Sequence, residues 1–161
     1  MRHALSRSRT LILGLLLATA TVAPPPLRGQ TPEEEAVAVV VRLFDGMRQR
    51  DRAMLESSFH ESARLQRAGE RDGEPVVSES SVAGWIDAVV AATGPMWDER
   101  IYNPQVLISG NLAQVWVEYD LYVGDDFRHC GVDAMHMART PAGWQIIQLT
   151  DTQRREGCPS R

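Results

Sequence analysis

The strongest candidate for chemistry is Asp133, a carboxylate that the sequence places among apolar neighbours on one face of a predicted sheet. An unpaired carboxylate in such surroundings has a raised pKa, because burial disfavours its charged form. A raised pKa is what a general acid or base needs near neutral pH. With the hydroxyl of Tyr119 as a hydrogen-bond donor on the same face, Asp133 would suit proton transfer of the isomerase or dehydratase kind.

A structural role for Asp133 explains the same pattern. A buried carboxylate commonly accepts hydrogen bonds from backbone or tryptophan N–H groups and so stabilises the fold. Both roles therefore stay open at this point, and the sequence supplies a pair of groups rather than a complete catalytic constellation.

Four further residues are candidates for the lining of a pocket around Asp133 and Tyr119. Trp85 and Trp97 lie where a predicted helix meets the sheet, and large aromatic side chains commonly line apolar pockets, although core packing explains them equally well. Met135 shares the predicted face of Asp133. His60 lies where a second helix gives way to the first strand, where it would either reach the pocket or cap the connection.

Patterns of other site types are absent from the sequence. There is no His-x-x-x-His, no calcium-binding loop, no phosphate loop, no dinucleotide fingerprint and no Gly-x-Ser-x-Gly elbow. Asp125, Asp126 and His129 fall in or beside a predicted hairpin turn, where acidic residues serve as turn formers. We therefore expect neither a metal nor a cofactor.

The candidate residues are positioned by a predicted meander of four strands in the last third of the chain. The strands cover residues 100–109, 112–123, 127–139 and 144–151, and turn-forming residues separate them. Centring the second hairpin on residues 124–126 pairs positions whose numbers sum to about 250. The odd-numbered positions then form the core face, unless a bulge exchanges the two faces beyond it. That face carries Val115, Val117, Tyr119, Leu121, Gly131, Asp133, Met135 and Met137.

Helices precede this meander. Thr31, Pro32 and Glu34 form a capping box, and apolar residues follow at spacings of three and four through about Arg48. Asp51 is a cap for a second helix, and a third helix begins near residues 78–81. Two short strands, at 63–66 and 75–77, lie between the second and third helices. Helices grouped against one antiparallel sheet predict an α+β domain.

The amino terminus reads as an export signal over residues 1–23, with three arginines followed by a short apolar run and a favoured cleavage site after Ala20. An uncleaved anchor is the alternative. A disordered lead over 24–30 and a single domain over 31–158 would follow, without a membrane span in the mature form. We therefore expect an exported protein, periplasmic or secreted, in which an oxidising environment joins Cys130 to Cys158.

Removing the signal leaves 14 basic against 21 acidic residues, so the formal charge changes from −4 to −7. Nucleic acid is an improbable partner for so acidic a domain, because nothing in it forms the basic stripe that phosphate binding requires. Trp116 and Tyr122 lie on the predicted outer sheet face, and exposed aromatic residues usually mark a contact. We expect a homodimer through this face, unless the tail that carries Cys158 covers it.

The order of elements and several short segments resemble the nuclear-transport-factor-2-like superfamily, near its polyketide-cyclase-like and lumazine-binding-like exported members. The segments are Leu43-Phe44-Asp45, Asp51 with Leu55, Phe59-His60 through Ala63, Gly143 through Ile147, and Asp151-Thr152. The resemblance implies a curved antiparallel sheet wrapped around N-terminal helices, a cone-like α+β barrel that encloses an apolar pocket. Members of the superfamily include enzymes and non-catalytic binding or dimerising domains, so the fold does not decide the function.

Three hypotheses follow from the sequence. In the first, an apolar pocket binds a small molecule or a partner without turnover. In the second, the protein is a cofactor-free acid/base enzyme of the isomerase, dehydratase or cyclase type that uses Asp133 and Tyr119. In the third, it is a structural homodimer module.

Overall fold

The computed structural model describes residues 29–159. The predicted signal segment, its cleavage site and residues 24–28 of the predicted lead lie outside this range. Within it, none of the helices is long and apolar enough to cross a membrane.

Three helices have the caps that their sequences predict. Helix α1 spans Pro32–Gln49, and its capping box is formed by mutual hydrogen bonds between Thr31 and Glu34. Helix α2 spans Arg52–Ser58 after Asp51, and helix α3 spans Val82–Ala91 after Ser81. In each of these two caps the side chain accepts a hydrogen bond from a backbone N–H of the first turn, which satisfies one donor that a helix start leaves open.

Five of the six strands are longer than the runs that predicted them, and β4 has the predicted bounds. They are β1 (Phe59–Arg71), β2 (Glu74–Ser80), β3 (Trp97–Ser109), β4 (Leu112–Val123), β5 (Asp126–Thr140) and β6 (Gly143–Asp151). They form one sheet in the order β2-β1-β6-β5-β4-β3. The α+β fold with N-terminal helices and a curved sheet is confirmed, and the sheet stays unclosed, with β2 and β3 at its edges.

One strand pair departs from the antiparallel expectation, because β1 pairs with β6 in parallel. Hairpin connections force neighbouring strands to run antiparallel, but β1 and β6 are joined through most of the domain and are free of that constraint. This pair brings the β1–β2 hairpin alongside the meander.

The predicted register of the β4–β5 hairpin is confirmed through most of its length. Val115 pairs with Met135 and Val117 with Asp133, and the register shifts by one residue only beyond Leu121, next to the turn. The odd face is the core face, as expected: Val115, Val117 and Met135 are fully buried. Helix α1 packs across this concave face.

A charged network fixes the end of α1 to the edge of the sheet. Arg48 of α1 bonds to Asp98 of β3, and Arg100 donates a second hydrogen bond of 2.7 Å from Nε to Asp98 Oδ2. Asp98 is 7% exposed, so these charge-assisted bonds are made where water competes little. The network orients the start of β3, which carries Trp97 and Glu99 on the opposite face.

Candidate functional site

A cavity of about 370 Å³ lies between the concave sheet face, the helices and the β1–β2 hairpin. Its walls are mainly apolar and aromatic, whereas one end is polar. The apolar walls are formed by Leu43, Phe44, Met47, Phe59, Leu65, Trp85, Trp97, Leu121 and Leu149. The polar lining comes from Gln66, Arg67, Ser78, Ser80, Glu99, Tyr119, His129, Asp133 and Asp151.

The structure places Asp133 at the polar end, on the central strand β5. Its side chain is almost wholly buried, at 2% exposure, and its Oδ2 atom has no hydrogen-bond partner among the described residues. A buried acceptor without a donor costs free energy, and most buried polar atoms are paired. Asp133 therefore has an acceptor position that no described residue of the fold fills.

Glu99 of β3 lines the same cavity, where its carboxyl group and that of Asp133 are close enough to share a hydrogen bond. Such a bond requires a proton on one of the two. Burial, followed by the charges of Asp133 and Asp151, raises the pKa of Glu99 well above its ordinary value. Burial also raises the pKa of Asp133, to about 7. Both shifts favour the protonated form, so the pair holds a proton to a higher pH than an isolated carboxyl group does.

Arg67 of β1 and Asp151 of β6 form an ion pair beside the two carboxyl groups. The guanidinium donates from Nε to Asp151 Oδ1 at 3.0 Å and from its terminal nitrogen to Oδ2 at 2.7 Å. This contact depends on the parallel register, which sets Arg67 opposite Asp151. Asp151 in turn lies opposite Asp133 in the β5–β6 ladder, so the three groups form one row across the sheet.

Tyr119 is held at the base of the cavity by the chain that follows β6. Its hydroxyl donates a hydrogen bond of 2.8 Å to the carbonyl oxygen of Thr152. Burial, and then the surrounding carboxylates, raise the pKa of this phenol, so it stays protonated. The phenolic hydrogen is thus directed to the backbone, and the oxygen keeps its capacity to accept.

The close approach of Tyr119 and Thr152 requires a glycine at position 131. A β-carbon built on Gly131 would lie 1.9 Å from the Thr152 carbonyl oxygen and 2.7 Å from Cε1 of Tyr119. Both distances are far inside van der Waals contact, and one of the atoms belongs to the backbone.

We expect Gly131→Ala to lower the free energy of unfolding by about 2 to 3 kcal/mol, because the methyl group overpacks this site. Urea denaturation followed by circular dichroism measures the change. Gly69→Ala in β1 is the matched control, since a β-carbon there meets its nearest atom at 3.8 Å. Equal stability of the two variants would contradict the prediction.

His129 lines the cavity next to Tyr119, although the sequence suggested only a turn residue beside its neighbours Asp125 and Asp126. Its ring meets that of Tyr119 edge to face at 5.7 Å, and its Nδ1 lies 2.8 Å from Nε2 of Gln153. Burial, and next the charge of Arg67, lower the pKa of the imidazole. In its neutral form the ring can accept a hydrogen bond at Nδ1 from the side-chain N–H of Gln153.

A disulfide between Cys130 and Cys158 secures the chain segment that supports Tyr119 and His129. This tail adds backbone hydrogen bonds between Cys130 and Arg154, and one from Thr152 N–H to the carbonyl of Val132. The disulfide lies on the outer face of β5, directly behind the polar end of the cavity. It therefore supports the site without lining it.

The structure brings together four of the six residues that the sequence analysis placed in the pocket: Trp85, Trp97, Tyr119 and Asp133. The other two lie elsewhere. Met135 is fully buried in the core, and His60 bonds to Ser62 outside the cavity lining. The sequence analysis missed Glu99, Arg67 and Asp151. Within residues 29–159, no cluster of acidic, histidine or cysteine side chains has the arrangement of a metal site.

The unclosed cone of six strands with its helices and enclosed cavity defines a nuclear-transport-factor-2-like domain. A family model described as "Putative lumazine-binding" matches residues 31–150, and the chain belongs to this family. No curated protein matches the sequence.

Solved structures share the fold at low sequence identity. A nuclear-transport-factor-2-like protein of Pseudomonas putida KT2440 superposes with a TM-score of 0.64 and 17% identity, over 79% of this chain and 96% of that chain. A protein of Novosphingobium aromaticivorans with a cystatin-like fold gives a TM-score of 0.63 and 14% identity, over 79% and 84%. A "putative dehydratase" of Streptomyces avermitilis gives 0.58 and 15%, over 75% and 94%.

Proposed function

We propose that the cavity binds a small, largely apolar molecule in an exported protein. The observation that carries this proposal is a cavity of about 370 Å³ with aromatic walls and an unpaired buried acceptor, Asp133 Oδ2, at one end. Ligand pockets are typically apolar clefts with a few polar groups that orient the ligand. The name of the family points to small-molecule binding as well.

The disulfide between Cys130 and Cys158 supports the export part of the proposal. Disulfides persist mainly in oxidising compartments, and this one joins the only two cysteines of the sequence. It agrees with the basic and apolar start of the chain, which has the composition of a signal peptide.

We expect a neutral aromatic probe, indole-3-ethanol, to bind the wild-type protein with a measurable heat in titration calorimetry. Leu65→Trp should weaken that binding about tenfold or more, or about 1.4 kcal/mol, because the larger side chain fills a half-buried position of the cavity wall. Val77→Trp is the control, since Val77 lies on the same hairpin, is 71% exposed and does not line the cavity. Equal losses in both variants would contradict the proposal, as would a wild type that binds neither this probe nor a charged indole of the same size.

Acid/base catalysis is the second candidate function, and the hydrogen-bonded Glu99–Asp133 pair favours it. Within one cavity the ionised member would take a proton from a carbon next to a carbonyl group, while the protonated member would donate one to the carbonyl oxygen. Glu99 thereby supplies the donor role that the sequence analysis gave to Tyr119, whose hydrogen is directed to Thr152. Exchange of solvent deuterium into a bound ketone would test this candidate, and Asp133→Asn should abolish the exchange.

Homodimerisation through the outer sheet face is a further proposal. Leu107, Leu112 and Trp116 share this face at one end of the β3–β4 hairpin and are 70%, 52% and 44% exposed. The tail does not hide Trp116, whereas Tyr122 is packed between Arg100 and Phe127. Exposed apolar patches of this kind mark contact surfaces.

Sedimentation velocity at tens of micromolar should show a dimer of residues 31–158. Trp116→Glu should shift the protein toward monomer, because it places a charge in the apolar patch. Val77→Glu, at a more exposed position on the strand at the opposite edge of the sheet, should leave the dimer intact. A monomeric wild type would refute this proposal and leave the pocket proposal unaffected.

A further inference from the structure

The polar end of the cavity holds more carboxyl groups than cations. Glu99, Asp133 and Asp151 converge there from three strands, and Arg67 is the cationic side chain among the lining residues. Arg67 makes its hydrogen bonds to Asp151. In residues 29–159, no basic side chain forms an ion pair with Glu99 or Asp133, whose carboxyl groups are hydrogen-bonded to each other.

The unpaired oxygen of Asp133 indicates that the polar end of the cavity lacks a hydrogen-bond partner. Asp133 is 2% exposed and lines the cavity, yet its Oδ2 receives no hydrogen bond from the described residues. In the ionised form of Asp133 this oxygen only accepts, so the partner that it lacks is a donor. Charged donors make shorter and stronger bonds to carboxylates than neutral donors do.

The cavity walls beyond the polar end include four aromatic side chains. Phe44, Phe59, Trp85 and Trp97 come from α1, β1, α3 and β3, and Phe59 and Trp85 meet edge to face at 6.1 Å. The faces of aromatic rings attract organic cations, and tryptophan does so most strongly. Carboxylates and aromatic rings around one cavity are the two kinds of group that recognise an alkylammonium ion.

We propose that the ligand of this cavity is an amine, with its ammonium group at Glu99 and Asp133 and its apolar body against the tryptophans. This inference rests on the proposed binding function and assigns the chemical class of the ligand. Carboxylic acids and phosphates are disfavoured, because they would place a negative charge beside three carboxyl groups. When the ammonium group binds, the proton that Glu99 and Asp133 share is released to solvent.

The proton release makes binding depend on pH. The titratable and charged groups that face the pair are Arg67 from β1, Tyr119 from β4, His129 from β5 and Asp151 from β6. Burial raises the pKa of both Glu99 and Asp133, so the pair is protonated and less attractive to cations at low pH. An alkylammonium ion keeps its proton up to about pH 10. The affinity for an amine should therefore increase between pH 6 and pH 8.5.

The test compares three indoles of similar size by titration calorimetry at pH 8 and low salt: tryptamine, indole-3-ethanol and indole-3-propionate. We expect tryptamine to bind about tenfold or more tightly than the alcohol, and the acid to bind most weakly. Asp133→Asn and Glu99→Gln should remove most of this preference, because they keep the shape and lose the charge. Glu74→Gln, an exposed carboxylate on β2, should retain it.

A second measurement uses only the wild-type protein. Titrating tryptamine in buffers with different ionisation enthalpies should reveal about one proton released per amine bound. Binding of the alcohol as tightly as the amine, or no proton release, would overturn the amine assignment and leave the binding proposal standing. Binding of none of the three probes would overturn both.

Discussion

Asp133→Asn should be more stable than the wild-type protein at pH 9, by roughly 2 to 4 kcal/mol of unfolding free energy, and nearly equal to it at pH 4. Burial raises the pKa of Asp133 from 3.8 to about 7 in the folded state. An acid with a raised pKa binds more protons when folded than when unfolded. Its contribution to stability is therefore complete below the unfolded pKa and is lost as the pH rises through about 7.

Asp133→Asn should not lose stability in this way as the pH rises. Its amide stays neutral at every pH and can donate a hydrogen bond to Glu99. Urea unfolding at pH 4, 7 and 9 measures the effect, with Glu74→Gln as the control for removing an exposed carboxylate. Glu99→Gln should behave like Asp133→Asn, because burial raises the pKa of Glu99 in the same direction. A site role predicts that the stabilised Asp133→Asn protein loses ligand binding.

The opposite result would assign Asp133 to the fold. Loss of a structural, charge-assisted hydrogen bond would make Asp133→Asn less stable at every pH, by about 1.5 to 3 kcal/mol. Lower stability of the variant at both pH 4 and pH 9, with unchanged binding of the indole probes, would remove Asp133 from the site.

Cys158→Ser should lower the free energy of unfolding by roughly 3 to 4 kcal/mol, because the Cys130–Cys158 link closes a loop across a sequence separation of 28. Cys158 is the better position for the substitution, since Cys130 is 1% exposed and a hydroxyl there would be buried. Denaturant unfolding of oxidised wild type, reduced wild type and Cys158→Ser measures the effect.

The reduced wild type and Cys158→Ser should agree, and both should also bind the pocket probes more weakly. The reason is that the tail provides the Thr152 carbonyl for Tyr119 and the Gln153 amide for His129. Unfolding of the reduced wild type at the same urea concentration as the oxidised protein would contradict the expected stabilisation.

The sequence was sufficient for the parts of the site that one hairpin determines. The turn at Gly124 set the β4–β5 register, and that register placed Asp133 beside Val117 and opposite the face that carries Trp116. The caps at Thr31, Asp51 and Ser81 were equally local, since each depends on side chains within three residues. Features of this kind depend on residues that are near in sequence, so tertiary contacts seldom change them.

Glu99 was missed because the predicted strand began at residue 100, and a bulge would have misplaced Glu99 even in a longer strand. Ser109 pairs with Leu112 at the turn of the β3–β4 hairpin, and continuing that register would put Glu99 opposite Tyr122 on the outer face. The register shifts between Tyr102 and Gln105, where Asn103 has a left-handed φ of 50° and Pro104 lacks an N–H group. Glu99 therefore lies opposite Leu121 and enters the cavity. The Asn-Pro dipeptide was the available signal.

Arg67 and Asp151 were missed for a different reason. They meet through the parallel pairing of β1 with β6, and no turn connects those strands. Their short hydrophobic runs gave no register, because a parallel pair takes its alignment from the packing of the whole domain. Sequence patterns therefore placed Asp133 and Tyr119 in the cavity lining and missed the charged side chains around them.

The parallel pairing of β1 with β6 also determines the order in which the domain can fold. Leu65 joins Leu149 only after nearly the whole domain is available, and pairing of such distant segments is slow because a long loop must close first. The meander of β3 to β6 needs only short loops and can form earlier. We therefore expect the cavity to be completed in a late step, when β1 adds Arg67 and Phe59 to it. A chain truncated before β6 would lack Asp151 and also the strand that receives β1.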